Sequence, residues 1–409
     1  MTVLQRLKQL NIVAALEYLL LLLAVGYTAM WSQLTEVKSN LFLRLAYPVL
    51  VLLIALRVRW LPGDRLRRLL LVAGLLAVYL LGSRYNPLRF GLYLAGPLLL
   101  LMVYWGLKDR EGAPFDLLYK LGDIVCVLAV VSLFCFVFGT TLDILPRQTV
   151  TYEFAGCTRS CTTYLHLYYA AQTVTMFGQE FVRNCGVFPE APGFAIFLVT
   201  ALSTEVFLRK KPRLWRCGVL VATAATTFST KALLLTLAVP ALWLVITPPR
   251  GERLRRFKRV ALPAVVVAGV LAAGVLLADK VSTASFRIRL DDLFASGKAF
   301  LTSPVFGTGY YHDESIIQQF AYPRTNNGLS MGLAVLLAQG GVFLTALYAV
   351  PSVLCVRRFG SQRRRVAAFF ITYLGLLFVS NMPFSFLAIL LLAFSMEAGH
   401  TPSAEENLL

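Results

Sequence analysis

The stretch Arg183-Asn-Cys-Gly-Val-Phe-Pro-Glu-Ala-Pro-Gly-Phe194 carries the clearest chemistry in this 409-residue chain. Gly186, Pro189, Pro192 and Gly193 break the start of an apolar run and open backbone groups that only protein or water can satisfy at a membrane edge. The break sets Arg183 and Glu190 within about two helical turns of each other. Arginine offers a planar fork of donors that matches phosphate oxygens, and a carboxylate can accept a proton. The plainer alternative is an Arg–Glu ion pair that fixes the helix start. Further along stand Lys231, Arg287, Arg289, His312, Arg324, Asn326 and Asn327. A cation at membrane-interface depth is a functional candidate by default, and two or three that converge outside the bilayer would suit a lipid diphosphate. His312 is the one imidazole in that region, although beside Asp313 and Glu314 it also reads as an ordinary loop histidine.

The elements that must hold these residues are apolar helices. The chain is 58% hydrophobic and 15% charged, with a mean hydropathy of +0.69. Ordinary soluble domains are about 25% charged, so a water-soluble enzyme and a disordered chain are both excluded. The fold class expected is all-α: a polytopic integral membrane bundle with about 12 transmembrane helices, one domain over 1–409. Thr227-Phe-Ser-Thr-Lys231 interrupts an apolar stretch from Leu214 to Ile246 that is too long for one crossing, so a tight hairpin is expected there. Two segments, 140–185 and 279–328, are too long to be simple connections and are read as exterior loops, partly helical and interfacial.

The net charge of +18 looks at first like a nucleic-acid patch. Most of the 39 basic residues instead fall in alternate short loops, such as Arg57–Arg68, Arg209–Arg216 and Arg357–Arg365, as the positive-inside rule requires. Both termini are then cytoplasmic, and the first apolar stretch is a retained span, not a cleaved signal. The remaining cations lie outside, where topology does not explain them; Lys38, Lys280 and Lys298 read as solvated. Asp291 and Asp292 begin an amphipathic stretch and read as a solvated helix face, while Glu17 and Asp123 suit structural pairing. Cys157, Cys161 and Cys185 fall on the outside, where a disulfide could form and the C-x3-C spacing permits a small staple. No histidine completes a metal site there. Gly307-Thr-Gly309 lacks the strand and βαβ unit of a dinucleotide fingerprint and reads as a turn. His166, among tyrosines, reads as an interfacial anchor.

The pattern R-x-x-G-x-F-x-E-x-P-G after a long exterior loop resembles the O-antigen and capsular polysaccharide polymerases (Wzy-like) and the related O-antigen ligases. Three later elements resemble the same family in the same order. They are Thr227–Lys231 in the hairpin, Arg289 followed by Ser303-Pro-Val-Phe-Gly-Thr-Gly-Tyr310, and Asn326-Asn327 followed by Gln339-Gly340-Gly341. The resemblance covers Arg183 to Phe343. It departs from the ligases where their His-Asn pair is Asn326-Asn327, and where the family's Ser-Arg is Thr230-Lys231.

The resemblance implies an inverting, metal-independent glycosyltransferase without cofactors at the outer face of a bacterial plasma membrane. It would join polyprenyl-diphosphate-linked oligosaccharide repeat units, with a flippase and a chain-length regulator as partners and no nucleic acid. Arg183 and Arg289 would bind the diphosphate, and Glu190 or His312 would be the base. Lys231, Arg287, Arg324, Asn326 and Asn327 would hold diphosphate or glycan. A ligase-like transfer to another acceptor is the near alternative. A lipid-linked oligosaccharide flippase or transporter is the alternative of another class, and it should show inverted repeats and midplane charges.

Overall fold

The computed structural model describes residues 3–34, 41–58, 62–154, 156–176, 178–248, 251–281, 284–324 and 328–400. The chain starts with α1 (Val3–Thr28), α2 (Leu41–Arg57) and α3 (Gly63–Ser83). Next come α4 (Pro87–Phe90), which runs through a π turn into α5 (Gly96–Arg110), and α6 (Asp116–Cys135). Five strands follow: β1 (Gln148–Phe154), β2 (Cys157–Tyr164), β3 (Tyr168–Ala170), β4 (Thr173–Met176) and β5 (Gln179–Val182). The second half holds α7 (Ala191–Ser203), α8 (Leu214–Thr226), α9 (Thr230–Ile246), α10 (Glu252–Val281) and α11 (Ala284–Thr302). It closes with α12 (Glu314–Ile317), α13 (Gly332–Arg358), α14 (Arg363–Val379) and α15 (Phe386–Glu397).

Among the described residues five helices are long and apolar enough to cross a membrane: Gly63–Ser83, Pro87–Arg110, Asp116–Thr141, Ala191–Leu208 and Gly332–Arg358. Apolar but shorter are Ile12–Thr28, α8, α9 and α15. Leu71, Leu81, Leu214 and Val260 are among many large apolar side chains left exposed. Such a surface fits a membrane protein and not a soluble one. Each of the twelve apolar segments expected from the sequence falls on a helix, while five pass on length and apolarity. Leu214–Ile246 does divide, at Thr227–Ser229, into α8 and α9.

The all-α expectation fails in the segment between α6 and α7. It forms an antiparallel sheet in the order β1-β2-β3 and a separate β4-β5 hairpin. Its Thr, Val and Tyr residues favour extended backbone, and burial along β1 marks Tyr152 as the inward residue. Tyr152, Cys161, Tyr169 and Met30 form a small apolar core under the sheet. The aromatics thus pack across strands and not along an interfacial helix. Trp31 Nε1 donates to the His166 carbonyl at 2.9 Å and pins the turn between β2 and β3.

Two helices are central. Every described residue of α15 is buried, and it packs on α5, α13 and α1. Helix α7 is nearly as enclosed, against α6, α8, α9 and α14. Charges inside the bundle are paired, because an unpartnered buried charge costs several kcal/mol. Glu17 meets Lys108 Nζ at 3.0 Å, Lys120 and the Tyr104 hydroxyl. Asp123 meets Arg209 at 3.2 Å, and Arg216. Both acids have the structural role expected of them.

At the end of α15 the open carbonyls of Ser395, Met396 and Ala398 accept from Arg358 at 3.0, 3.0 and 2.9 Å. Burial, and then the charge of Arg358, hold the neighbouring His400 at about 4, with Arg68 acting the same way and Asp109 and the Glu397 carbonyl against it. The folded chain therefore keeps His400 neutral, whereas the unfolded chain protonates it below about 6.5. Stability is full above that value and is lost as pH falls towards about 4. Between pH 7 and pH 5 this group should cost about 1–2 kcal/mol. Thermal unfolding in detergent should show a smaller acid loss for His400→Gln than for the wild type; equal losses would refute the assignment.

Candidate functional site

The chain leaving α1 is stitched to two other segments, and a cavity of about 350 Å3 opens among them. Met30 N–H donates to the Val187 carbonyl at 2.7 Å, Glu153 N–H to Gln33 at 2.9 Å, and Tyr169 N–H to Gly186 at 2.9 Å. The cavity is lined by Tyr27, Phe154, Phe188 and Tyr311, by the amides of Gln33 and Asn381, and by the carboxylates of Glu190 and Asp313. Aromatic faces with a few amides and acids are the lining that suits a sugar. Glu190 stands just before α7, at its N-cap, with extended backbone, yet its side chain caps no N–H. It is left to face the cavity.

Arg183 sits behind Glu190. Its Nε donates to the Thr227 carbonyl at 2.9 Å, and its Nη1 to Gln172 Oε1 at 3.3 Å. The same Gln172 oxygen accepts from Ala191 N–H, joining the arginine to the first turn of α7. Asn184 reaches Thr226 and Ser132, so the Arg183 segment is fastened to the α8–α9 break. Burial pulls the Arg183 pKa down; Cys185 and Glu190 act upward, and Arg289 is near enough to act downward again. The Arg183–Glu190 ion pair weighed from the sequence does not form among the described residues. The guanidinium spends two of its donors on fixed oxygens of the α8–α9 turn and of Gln172, just before β4.

Lys231 lies half-buried in the first turn of α9 and points its Nζ to the Val379 carbonyl at 3.5 Å, two residues from Asn381. A cation there adds to the positive end of the helix dipole and favours an anion. None of Arg183, Arg289 and Lys231 lines the cavity itself; Arg289 and Glu190 both lie near enough to Arg183 to act on it through charge, and Lys231 stands four residues beyond the Thr227 carbonyl that Arg183 holds.

The Ser303–Tyr310 loop is placed by glycine. Val342 and Phe343 N–H donate to Pro304 and Val305 at 2.9 and 3.0 Å, and Thr308 and Gly309 N–H donate to Ala338 and Gln339 at 2.8 and 3.0 Å. Helix α13 breaks at Gly341, with φ +62°, to allow this. A Cβ at Gly341 would lie 2.2 Å from the Val305 oxygen, and one at Gly307 would lie 2.3 Å from the Gln339 carbonyl carbon. Two strands of backbone meet too closely for any side chain. Gln339 then donates to Asp313 Oδ1 at 2.7 Å and holds that acid at the cavity wall.

Several expectations change. Arg324 is not available to a diphosphate: its guanidinium pairs with Asp291 and, at 2.6 Å, with Asp292, and it is 3% exposed. Those two aspartates are buried and not a solvated face, because Asp291 also accepts from Ala321 N–H and Asp292 from Ser330. Arg287 is exposed on α11, apart from the cavity lining. His312 does not line the cavity either; its ring stacks on Tyr85 at 4.0 Å and Nδ1 meets the Thr308 carbonyl at 2.9 Å. Its neighbour Asp313 is the acid that does. Asn326 and Asn327 lie outside the described residues. Cys157 and Cys161 stand on one strand four residues apart, about 13 Å, which no disulfide spans. No disulfide forms among the described cysteines, and burial pushes the Cys161 and Cys185 thiols up to about 11 and about 12. The roles of Asp313 and of Arg89, whose guanidinium lies 4.5 Å over the Tyr311 ring, were missed from the sequence. Asp313 was noticed only as a neighbour of His312, and Gln339 only as part of the Gln-Gly-Gly motif, not as the residue that holds Asp313. Among the described residues no group of three or more His, Cys, Asp or Glu could hold a metal ion.

The chain matches no family model, no curated protein and no solved structure.

Proposed function

We propose that the chain is a polysaccharide polymerase that joins polyprenyl-diphosphate-linked oligosaccharide repeat units at the outer face of a bacterial plasma membrane. Twelve crossings, with both termini cytoplasmic, go with this reading. The observation that carries it is a sugar-sized, aromatic and acidic cavity whose Glu190 lies within charge range of the anchored Arg183, with Arg289 near enough to act on the same arginine. A hydroxyl of one lipid-linked unit attacks the anomeric carbon of the other from the face opposite the diphosphate. Its C–O bond forms as the anomeric carbon–diphosphate bond breaks, with inversion. The hydroxyl proton goes to Glu190 or Asp313, the acids at the wall. Polyprenyl diphosphate leaves with its charge met by Arg183 and Arg289, and Lys231 adds to the same field. Arg324 and His312 act on the frame of the site in this mechanism and not on substrate.

The test uses the purified chain in liposomes with lipid-linked repeat units as sole substrate. Products should lengthen in steps of one repeat, with EDTA leaving the ladder unchanged. Transfer only to an added foreign acceptor would instead identify a ligase, and movement of the lipid-linked unit without any new glycosidic bond a flippase.

A further inference from the structure

We propose that a groove between α3 and α13 seats an anionic phospholipid, acyl chain along α13 and phosphate on Arg68 and Arg357 at its basic end. Helix α3 packs mainly on α5, which leaves a space of about 1050 Å3 between α3, α13 and the end of α15. Its wall is apolar: Leu71, Leu75, Met102, Leu347, Val350 and Leu354. Along α13 it extends from Val342 to Arg357, about 22 Å at 1.5 Å per residue, which is most of a bilayer's hydrocarbon thickness. The groove is open on its flank, where Leu71 is 64% exposed and Val350 52%, so a lipid enters sideways from the membrane.

The charged end decides the headgroup. Arg68, Arg357 and Arg358 close it, with Glu397 and His400. Arg358 is spent on the α15 carbonyls. Arg68 gives one nitrogen to Glu397 at 3.2 Å and keeps a buried Nε without a partner. Arg357 is exposed and makes no hydrogen bond or ion pair among the described residues. Arg65, behind them, is paired with Asp109 at 3.5 Å. Four arginines against two acids leave an excess of positive charge and open donors where an acyl chain ends. A phosphate satisfies both, whereas the extra ammonium of a zwitterionic lipid meets like charge. Basic pockets between membrane helices select anionic headgroups in this way, and these arginines belong to the loops that the positive-inside rule assigns to the anionic leaflet.

Native mass spectrometry of the full chain in detergent, titrated separately with phosphatidylglycerol, phosphatidylcholine and a polyprenyl phosphate, tests this. Phosphatidylglycerol should be retained about tenfold more tightly than phosphatidylcholine, a difference of about 1.4 kcal/mol. Arg357→Gln, at an exposed position, should remove most of that preference while leaving the unfolding temperature unchanged. Ala346→Phe, which fills the groove, should weaken retention of every lipid. Equal retention of the two phospholipids, a retention of polyprenyl phosphate that Ala346→Phe weakens more than that of phosphatidylglycerol, or a phosphatidylglycerol preference unaltered by Arg357→Gln would overturn the proposal. None of these outcomes bears on the outer cavity, so the polymerase reading stands or falls separately.

Discussion

Arg183→Ala should abolish long-chain product, with the rate of repeat addition falling at least 10²-fold, as is usual when a preorganised group that meets developing charge is removed. Arg183→Lys should recover little. The native side chain uses Nε on Thr227 and Nη1 on Gln172, and a single ammonium cannot hold both oxygens and still face an anion. Arg183 also ties two segments together, so loss of activity alone would not separate a chemical role from a structural one. Arg289→Ala does that, because Arg289 makes no hydrogen bond or ion pair among the described residues and acts on Arg183 only through charge. It should reduce chain extension strongly at normal protein levels and normal thermal stability. A ladder of wild-type length from either alanine variant, read by gel with the protein quantified alongside, would remove both residues from the proposed diphosphate site.

The largest loss of stability should follow from Asp292→Ala. Asp292 is 0% exposed, accepts from Ser330 N–H at 3.0 Å and pairs with Arg324. Its removal leaves an enclosed guanidinium with half its partners, and breaking such a pair costs about 3–5 kcal/mol. It also unfastens the chain on both sides of Asn326 and Asn327, since Arg324 and Ser330 flank them. The midpoint of thermal unfolding should drop accordingly. Replacing Asp291, Asp292 and Arg324 together by leucine should restore much of it, because the uncompensated charge is then gone. A midpoint unchanged in Asp292→Ala would show that the cluster does not hold the loop.

Helix positions were readable because long apolar runs leave the backbone no alternative in a bilayer, and the twelve runs all fall on helices. The strands between Gln148 and Val182 were readable in principle from their Thr, Val and Tyr content; the aromatic residues drew attention to the membrane interface instead. The pairing of Arg183 with the Thr227 turn could not be read at all, since the two lie 44 positions apart with no pattern that links them. The glycines at 307 and 341 announced tight backbone, but not that each is tight against the other's segment.

By itself the sequence determined that this chain is a helical protein of membrane character, that Arg183 and Glu190 lie at a broken helix start, and that some cations are in excess of topology. Those properties are local: they follow from apolarity, proline, glycine and charge within a few turns. Only the tertiary structure decided which cations are free to act. Arg324 and Arg289 look alike in sequence, yet one is closed between two aspartates from α11 and the other is left beside Arg183. Long-range packing sets that choice, because a guanidinium's availability depends on which distant carboxylates the fold brings within hydrogen-bond reach.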